Sequence, residues 1–175
     1  MVKIIIGVII VAFIVIGGFM LLDPNMKSSS PNETSETTDA NSYTIEGEIS
    51  IAGTYKITGV VTMSDLIETA GGVTNNADEN AYFETTELTI GDTYYIAPKY
   101  DTSDVCSNTP IVKVNVNSDS ADELTAISGI TTTIANSIIS YRVEIGTYQT
   151  LEELMDVYGI GNATYRKIRN YITLQ

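Results

Sequence analysis

"SGITTTIANSIISYR", Ser128–Arg142, and "YGIGNATYRKIRNYI", Tyr158–Ile172, begin thirty residues apart and follow one plan. Each carries Gly-Ile at a turn and then apolar residues at helical spacing. These are Ile134, Ala135, Ile138 and Ile139 in the first copy, and Tyr165, Ile168 and Ile172 in the second. Ahead of each stands a serine or threonine with glutamate three residues on, Ser120 with Glu123 and Thr150 with Glu153, the pattern of a capping box that opens a short helix. The plan is therefore helix, tight turn, helix, made twice. One helix pair of this size cannot bury its apolar face, whereas two together can. Gly146 closes the first copy, and Tyr148 in the join is expected to cover the shared core. The copies differ at the third turn residue, which is Thr131 in one and Gly161 in the other.

This arrangement, a duplicated helix-hairpin-helix, has a chemistry that comes from backbone. Glycine lets the chain turn at positive φ and come close to another molecule. The helix that follows begins with unpaired N–H groups and the positive end of its dipole, and a phosphate oxygen fits in front of them. No base edge is read, so such binding is independent of sequence. The candidate contacts are Gly129, Ile130 and Thr131 in the first hairpin. In the second they are Gly159, Ile160, Gly161 and Asn162, with the cations Arg166, Lys167 and Arg169 within four residues. A β-branched residue resists positive φ, so either the first hairpin is shaped differently or Thr131 caps the next helix and offers its hydroxyl to a phosphate. No lysine or arginine precedes Arg142 in that helix. The second hairpin is expected to be the stronger phosphate site. DNA binding is the leading reading of the duplication, and core formation alone or protein association is the rival.

Charge divides the chain. Net charge is −13 over 175 residues, which argues against polyanion binding by the chain as a whole. Residues 43–112 hold two basic and eleven acidic residues, net −9, whereas residues 113–175 hold five and seven, net −2. The asymmetry marks two modules with different partners, and the acidic one is not expected to bind DNA. There is no histidine, which removes the commonest general base and metal ligand. Cys106 is the sole cysteine, so it forms no intramolecular disulfide and is expected to fill a small apolar space. Asp122, Glu123, Glu152, Glu153 and Asp156 sit in first turns, where caps and dipoles favour acids. An enzyme, a catalytic site, a metal site or a cofactor is not expected.

Residues 4–22 are nineteen uncharged residues, roughly 28 Å as a helix, close to a bilayer's hydrocarbon thickness. Lys3 precedes them and Asp23 follows, so 1–22 reads as an uncleaved signal-anchor transmembrane helix with the bulk of the chain extracytoplasmic. Residues 23–42 are polar and proline-containing, a flexible linker. Residues 43–98 read as short strands around one helix, an α+β module. Tyr43 and Ile45 lie on one face of the first strand, Ser64 is expected to cap the helix of "TMSDLIETAGG", Gly71 and Gly72 to end it, and "TYYIAP" to form a late strand stopped by Pro98. Residues 99–112 are a polar joint, and residues 113–175 an all-α tandem hairpin domain.

Two resemblances attach to these residues. "IEGEISIAGTYKITGVVTMSDLIETAGGVTNNAD", Ile45–Asp78, resembles an SLBB domain, a soluble-ligand-binding β-grasp module, in its first strand, Gly53-x-Tyr55 turn, Ala70-Gly71-Gly72 helix end and Ala77-Asp78, with Ala52 where the pattern has proline. That resemblance implies binding of partners or extended polymers. "VNVNSDSADELTAISGITTTIANSIISYRVEIGTYQTLEELMDVYGIGNATYRKIRNYI", Val114–Ile172, closely resembles the C-terminal region of ComEA-type competence DNA receptors. It has the Val-Asn-x-Asn lead, the Tyr-Arg pair and the Gly-x-Tyr-x-Thr join to Gly-Ile-Gly, and departs from the family pattern at Thr131. The order of anchor, SLBB-like module and tandem hairpins is that family's layout. The resemblance implies a single-pass cell-membrane receptor that binds double-stranded DNA through its phosphates and passes it to an uptake channel or pilus component in natural transformation. The competing reading is an extracytoplasmic scaffold that binds protein or polysaccharide.

Overall fold

The computed structural model describes residues 40–101 and 109–175, and the expected membrane helix, nearly all of the linker and Cys106 lie outside them. The described residues belong to one compact unit.

Strand β1 (Ala40–Gly47) is the middle of a three-stranded sheet in the order β2-β1-β3. β2 (Gly53–Thr58) runs antiparallel to it, with Ala40 opposite Thr58 and Ile45 opposite Gly53. β3 (Thr93–Ile96) runs parallel, with Thr44 opposite Thr93 and Gly47 opposite Ile96. Ala40, Asn41 and Ser42, read as linker, are thus strand. Tyr43 and Ile45 are buried on one face, as their alternation predicts, and β3 stops ahead of Pro98.

Helix α1 (Met63–Thr69) covers that face through Met63 and Leu66. Its cap is Thr62, not Ser64: the Thr62 hydroxyl accepts from the Asp65 N–H, and the Asp65 carboxylate accepts from the Thr62 N–H at 2.8 Å. Ser64 has Ile67 three residues on and so cannot close a box, whereas Thr62 has an acid there. These bonds, the backbone one foremost, hold the Asp65 carboxyl below its usual range. Gly71 and Gly72 end the helix at positive φ, and their N–H groups return to Glu68 and Ile67.

After a two-residue antiparallel ladder, β4 (Tyr100–Asp101) with β5 (Thr109–Pro110), the repeat region begins. Its first half has α2 (Ala121–Thr125), opened by the reciprocal Ser120–Glu123 box, then α3 (Thr132–Glu144). Its second half has a 3₁₀ turn at Glu152–Asp156 and then α4 (Asn162–Ile168). The second box is only half made. Glu153 accepts from the N–H groups of Gln149 and Thr150, but Leu151, buried at 1% exposure, takes the cap position, and the helix tightens to 3₁₀. Tyr148 is fully buried, and its hydroxyl donates to the Ile138 carbonyl.

The region is not purely helical. β6 (Val114–Asn115) pairs in parallel with β7 (Ile172–Thr173), and the Val116 N–H donates to the Thr173 carbonyl. Val114, Val116 and Ile172 are buried, so the polar backbone between them needs partners, and the two ends of the region supply each other. Asn117 adds a second tie, donating to the carbonyls of Tyr148 and Leu174 and accepting from the Tyr148 N–H.

The strand module and the repeats share a contact surface. Ala81 and Ala97 join the repeat core, with Phe83 and Tyr95 packed on it. Glu152 lies at this seam. One of its oxygens accepts from the Tyr165 hydroxyl at 2.6 Å and from the Tyr95 N–H at 2.9 Å. Burial pushes its pKa up to about 7, against the opposing pull of those donors and of the Arg169 guanidinium. The folded state then holds a proton that the unfolded state has released, over the window from the ordinary value of 4.5 to about 7. Stability from the neutral form is present at low pH and lost as pH rises through that window. Glu152→Gln keeps an acceptor for both donors and should remove the loss. Its melting temperature, relative to the parent's, should climb between about pH 5 and about pH 8. A constant difference across that range would disprove the assignment.

Candidate nucleic-acid interface

The two turns are built alike. Gly129 and Gly159 take φ of +116° and +95°, which favours glycine. The next residue, Ile130 or Ile160, is driven into the core at 5% and 3% exposure. The N–H groups of both isoleucines donate back, to the carbonyls of Ile127 and Val157, each at 3.0 Å. These two candidates are therefore anchors of the turn and present neither side chain nor donor outward.

The third position corrects the expectation about glycine. Thr131 has φ −83° and ψ 163°, and Gly161 has φ −94° and ψ 178°. Both are ordinary extended cap residues, so threonine stands there without strain and the hairpins keep one shape. Thr131 does cap: its hydroxyl accepts the Ile134 N–H at 3.3 Å. Gly161 has no side chain to do so. Among the described residues, the N–H groups of Thr132 and Thr133 in the first hairpin find no acceptor in the chain, against those of Asn162, Ala163 and Thr164 in the second. Thr131, Thr132 and Thr133, like Gly161, Asn162 and Ala163, are exposed. The glycine hairpin has one more free donor and no side chain in front of it.

The three cations separate. Arg166 and Lys167 are exposed and form no ion pair with a described residue. Arg169 is turned to the strand module. Its guanidinium lies 3.6 Å from the centroid of the Tyr95 ring and 3.8 Å from a Glu46 carboxylate oxygen. The Tyr95 hydroxyl in turn donates to Asn170 at 2.7 Å. α4 ends at Ile168 and a 3₁₀ turn starts at Arg169, and it is the contacts with Tyr95 and Glu46 that set Arg169 apart from the exposed Arg166 and Lys167.

Three polar residues have structural roles that spacing alone did not assign. Arg142 donates to the carbonyls of Val116 and Asp119, both at 2.8 Å, and so holds the lead into α2. Asn117 ties the lead to both later segments, and Lys113 reaches Asp78 at 2.6 Å. The Tyr-Arg and Val-Asn-x-Asn motifs were visible signals for Arg142 and Asn117.

Comparison with known proteins agrees with this geometry. The family model described as a helix-hairpin-helix motif matches residues 109–173. The chain is 31% identical to ComE operon protein 1 of Bacillus subtilis over 170 residues, covering 86% of this chain and 83% of that one. Two further relatives match a shorter stretch. An uncharacterized protein of Haemophilus influenzae is 38% identical over 61 residues, 34% of this chain and 54% of its own. The uncharacterized protein YdcI of Bacillus subtilis is 33% identical over 64 residues, 37% of this chain and 9% of its own.

Proposed function

The chain belongs to the ComEA family, that of ComE operon protein 1, and from this premise we propose that it is a competence receptor that holds double-stranded DNA by its phosphates, without reading sequence, for uptake in natural transformation. The observation that carries the reading is the paired turn. Two copies of one backbone conformation each end in an exposed, extended cap residue followed by unbonded N–H groups. Such groups donate to phosphate oxygens whatever the nucleotide sequence. Two turns on one core suit the two strands of a duplex. Residues 4–22 would anchor the chain in the cell membrane, with the described residues outside and an uptake channel or pilus component as the next partner.

Charge sets the strength. Arg166 and Lys167 face solvent, while Arg169 is committed to Tyr95 and Glu46. Two phosphates neutralised give a log–log salt slope of about −2, shallow among DNA-binding proteins. The full chain should therefore bind fluorescent duplexes of unrelated sequence with equal affinity and with that slope. Arg169→Ala should leave the slope unchanged and lower the melting temperature. Absence of duplex binding at low salt sinks the receptor reading. A slope flattened by Arg169→Ala would return that residue to the DNA surface.

A further inference from the structure

We propose that Lys167, carried on the helix of the second repeat, supplies the phosphodiester-binding charge of the first repeat's turn. The inference rests on the duplex-binding reading and deepens it. The first repeat has no cation of its own to offer. α3 reaches its first basic residue at Arg142, whose guanidinium is taken by the carbonyls of Val116 and Asp119.

The second repeat reaches across. A Cβ placed on Gly129 would stand 3.2 Å from Lys167 Cδ and 3.6 Å from Cε, and 3.2 Å from Ile168 Cγ2. The lysine stem is thus laid along the open face of Gly129. Its ammonium, one bond beyond Cε, emerges beside the first turn and not the second. Lys167 and Ser128 border the same hollow, and Lys167 is exposed and pairs with no described acid. The corresponding glycine of the second repeat, Gly159, faces Ile134 at 3.1 Å, so no cation is returned. The missing side chain at Gly129 therefore serves two purposes: it permits positive φ, and it leaves the groove in which a lysine from the other repeat lies. The ligand is a sugar-phosphate backbone, met by a charge of one repeat at the turn of the other.

A packed stem with a hydrated ammonium and a packed stem whose ammonium meets phosphate differ only in what the charge does. Lys167→Met separates the two, because it keeps the stem and removes the charge. The test measures the full chain against a short fluorescent duplex over a salt series. Each binding change is placed in a double-mutant cycle with Thr131→Asp in the first turn and Gly161→Asp in the second. Lys167→Met should weaken binding about three- to tenfold and reduce the salt slope by about 1. Its effect should shrink in the Thr131→Asp background, where the first turn already repels phosphate, and persist in full in the Gly161→Asp background. Melting temperatures near the parent's show that all variants fold. Coupling to Gly161→Asp with additivity at Thr131→Asp assigns the lysine to its own hairpin and overturns the proposal. So does a Lys167→Met chain that binds as the parent does. A parent that binds no duplex removes the underlying reading as well, and is thereby told apart from failure of this inference alone.

Discussion

Gly161→Asp should leave the protein as stable as before, or more so, and weaken duplex binding by about tenfold or more. The two effects are expected to oppose because they act on one set of N–H groups. Aspartate is among the best helix caps, and Gly161 stands at a cap with φ −94° and no capping side chain. A Cβ there meets nothing within 4 Å, so the substitution brings neither clash nor strain. Its carboxylate would accept an N–H from α4 and put a negative charge where a phosphate is to sit. Two unit charges 4 Å apart repel by about 4 kcal/mol at a surface-like dielectric of about 20, reduced by salt, so a tenfold loss, 1.4 kcal/mol, is a cautious figure. Thr131→Asp replaces one cap with another and should change stability little. Its binding loss should be smaller, since that hairpin has one fewer free donor. A thermal melt and a binding isotherm on each variant check both halves. Tight binding by a well-folded Gly161→Asp chain would show that the second turn does not hold phosphate.

Lys113→Met should destabilise the fold by about 3–5 kcal/mol, a large share of what a domain of this size has. The Lys113 ammonium meets Asp78 at 2.6 Å with both side chains under 10% exposed. Burial lowers the lysine's pKa, and the aspartate, through its hydrogen bond and charge, works against that shift. Asp78 also accepts the Asn80 N–H and donates its own N–H to the Ala97 carbonyl, so it cannot swing out to water without undoing a turn. Removing the cation strands a charge. Removing both charges does not, and the double variant Lys113→Met with Asp78→Asn, which keeps an acceptor for Asn80, should recover most of the loss. Urea unfolding of the three chains decides it. A loss below about 1 kcal/mol for Lys113→Met would mean that the pair is solvated and adds little to the seam between strand module and repeats.

The repeat was legible because two independent periodicities agreed, the thirty-residue spacing and the helical spacing inside each copy. The Ser120–Glu123 box, the buried Tyr148 and the glycine stops at Gly71 and Gly72 followed from local rules and stand as read. What local rules could not supply was which side of a turn faces out. Gly-Ile-Gly reads as one unit, yet its isoleucine is core and its last glycine is an ordinary cap. The cations show the same limit. Arg166, Lys167 and Arg169 look like one patch in sequence, but Tyr95 and Glu46 of the strand module hold Arg169, and the stem of Lys167 lies against Gly129 of the first repeat. Each depends on a partner dozens of residues away. Ser64 and Thr62 differ for a nearer reason, the identity of the residue three positions on.

The placing of β1 has a mechanical consequence. Tension arriving through the chain ahead of Ala40 enters the sheet by its middle strand. β1 and β3 are parallel, so the pulled end of β1 and the exit of β3 toward the repeats lie at opposite ends of the ladder. A load between them slides one strand along the other, and the bonds of the ladder resist together instead of opening one after another from an end. The antiparallel partner β2, paired from Ala40 to Ile45, resists the same displacement on the other side. Whatever is drawn against the repeats, the force runs through the sheet in shear, the direction in which a hydrogen-bonded ladder is hardest to part.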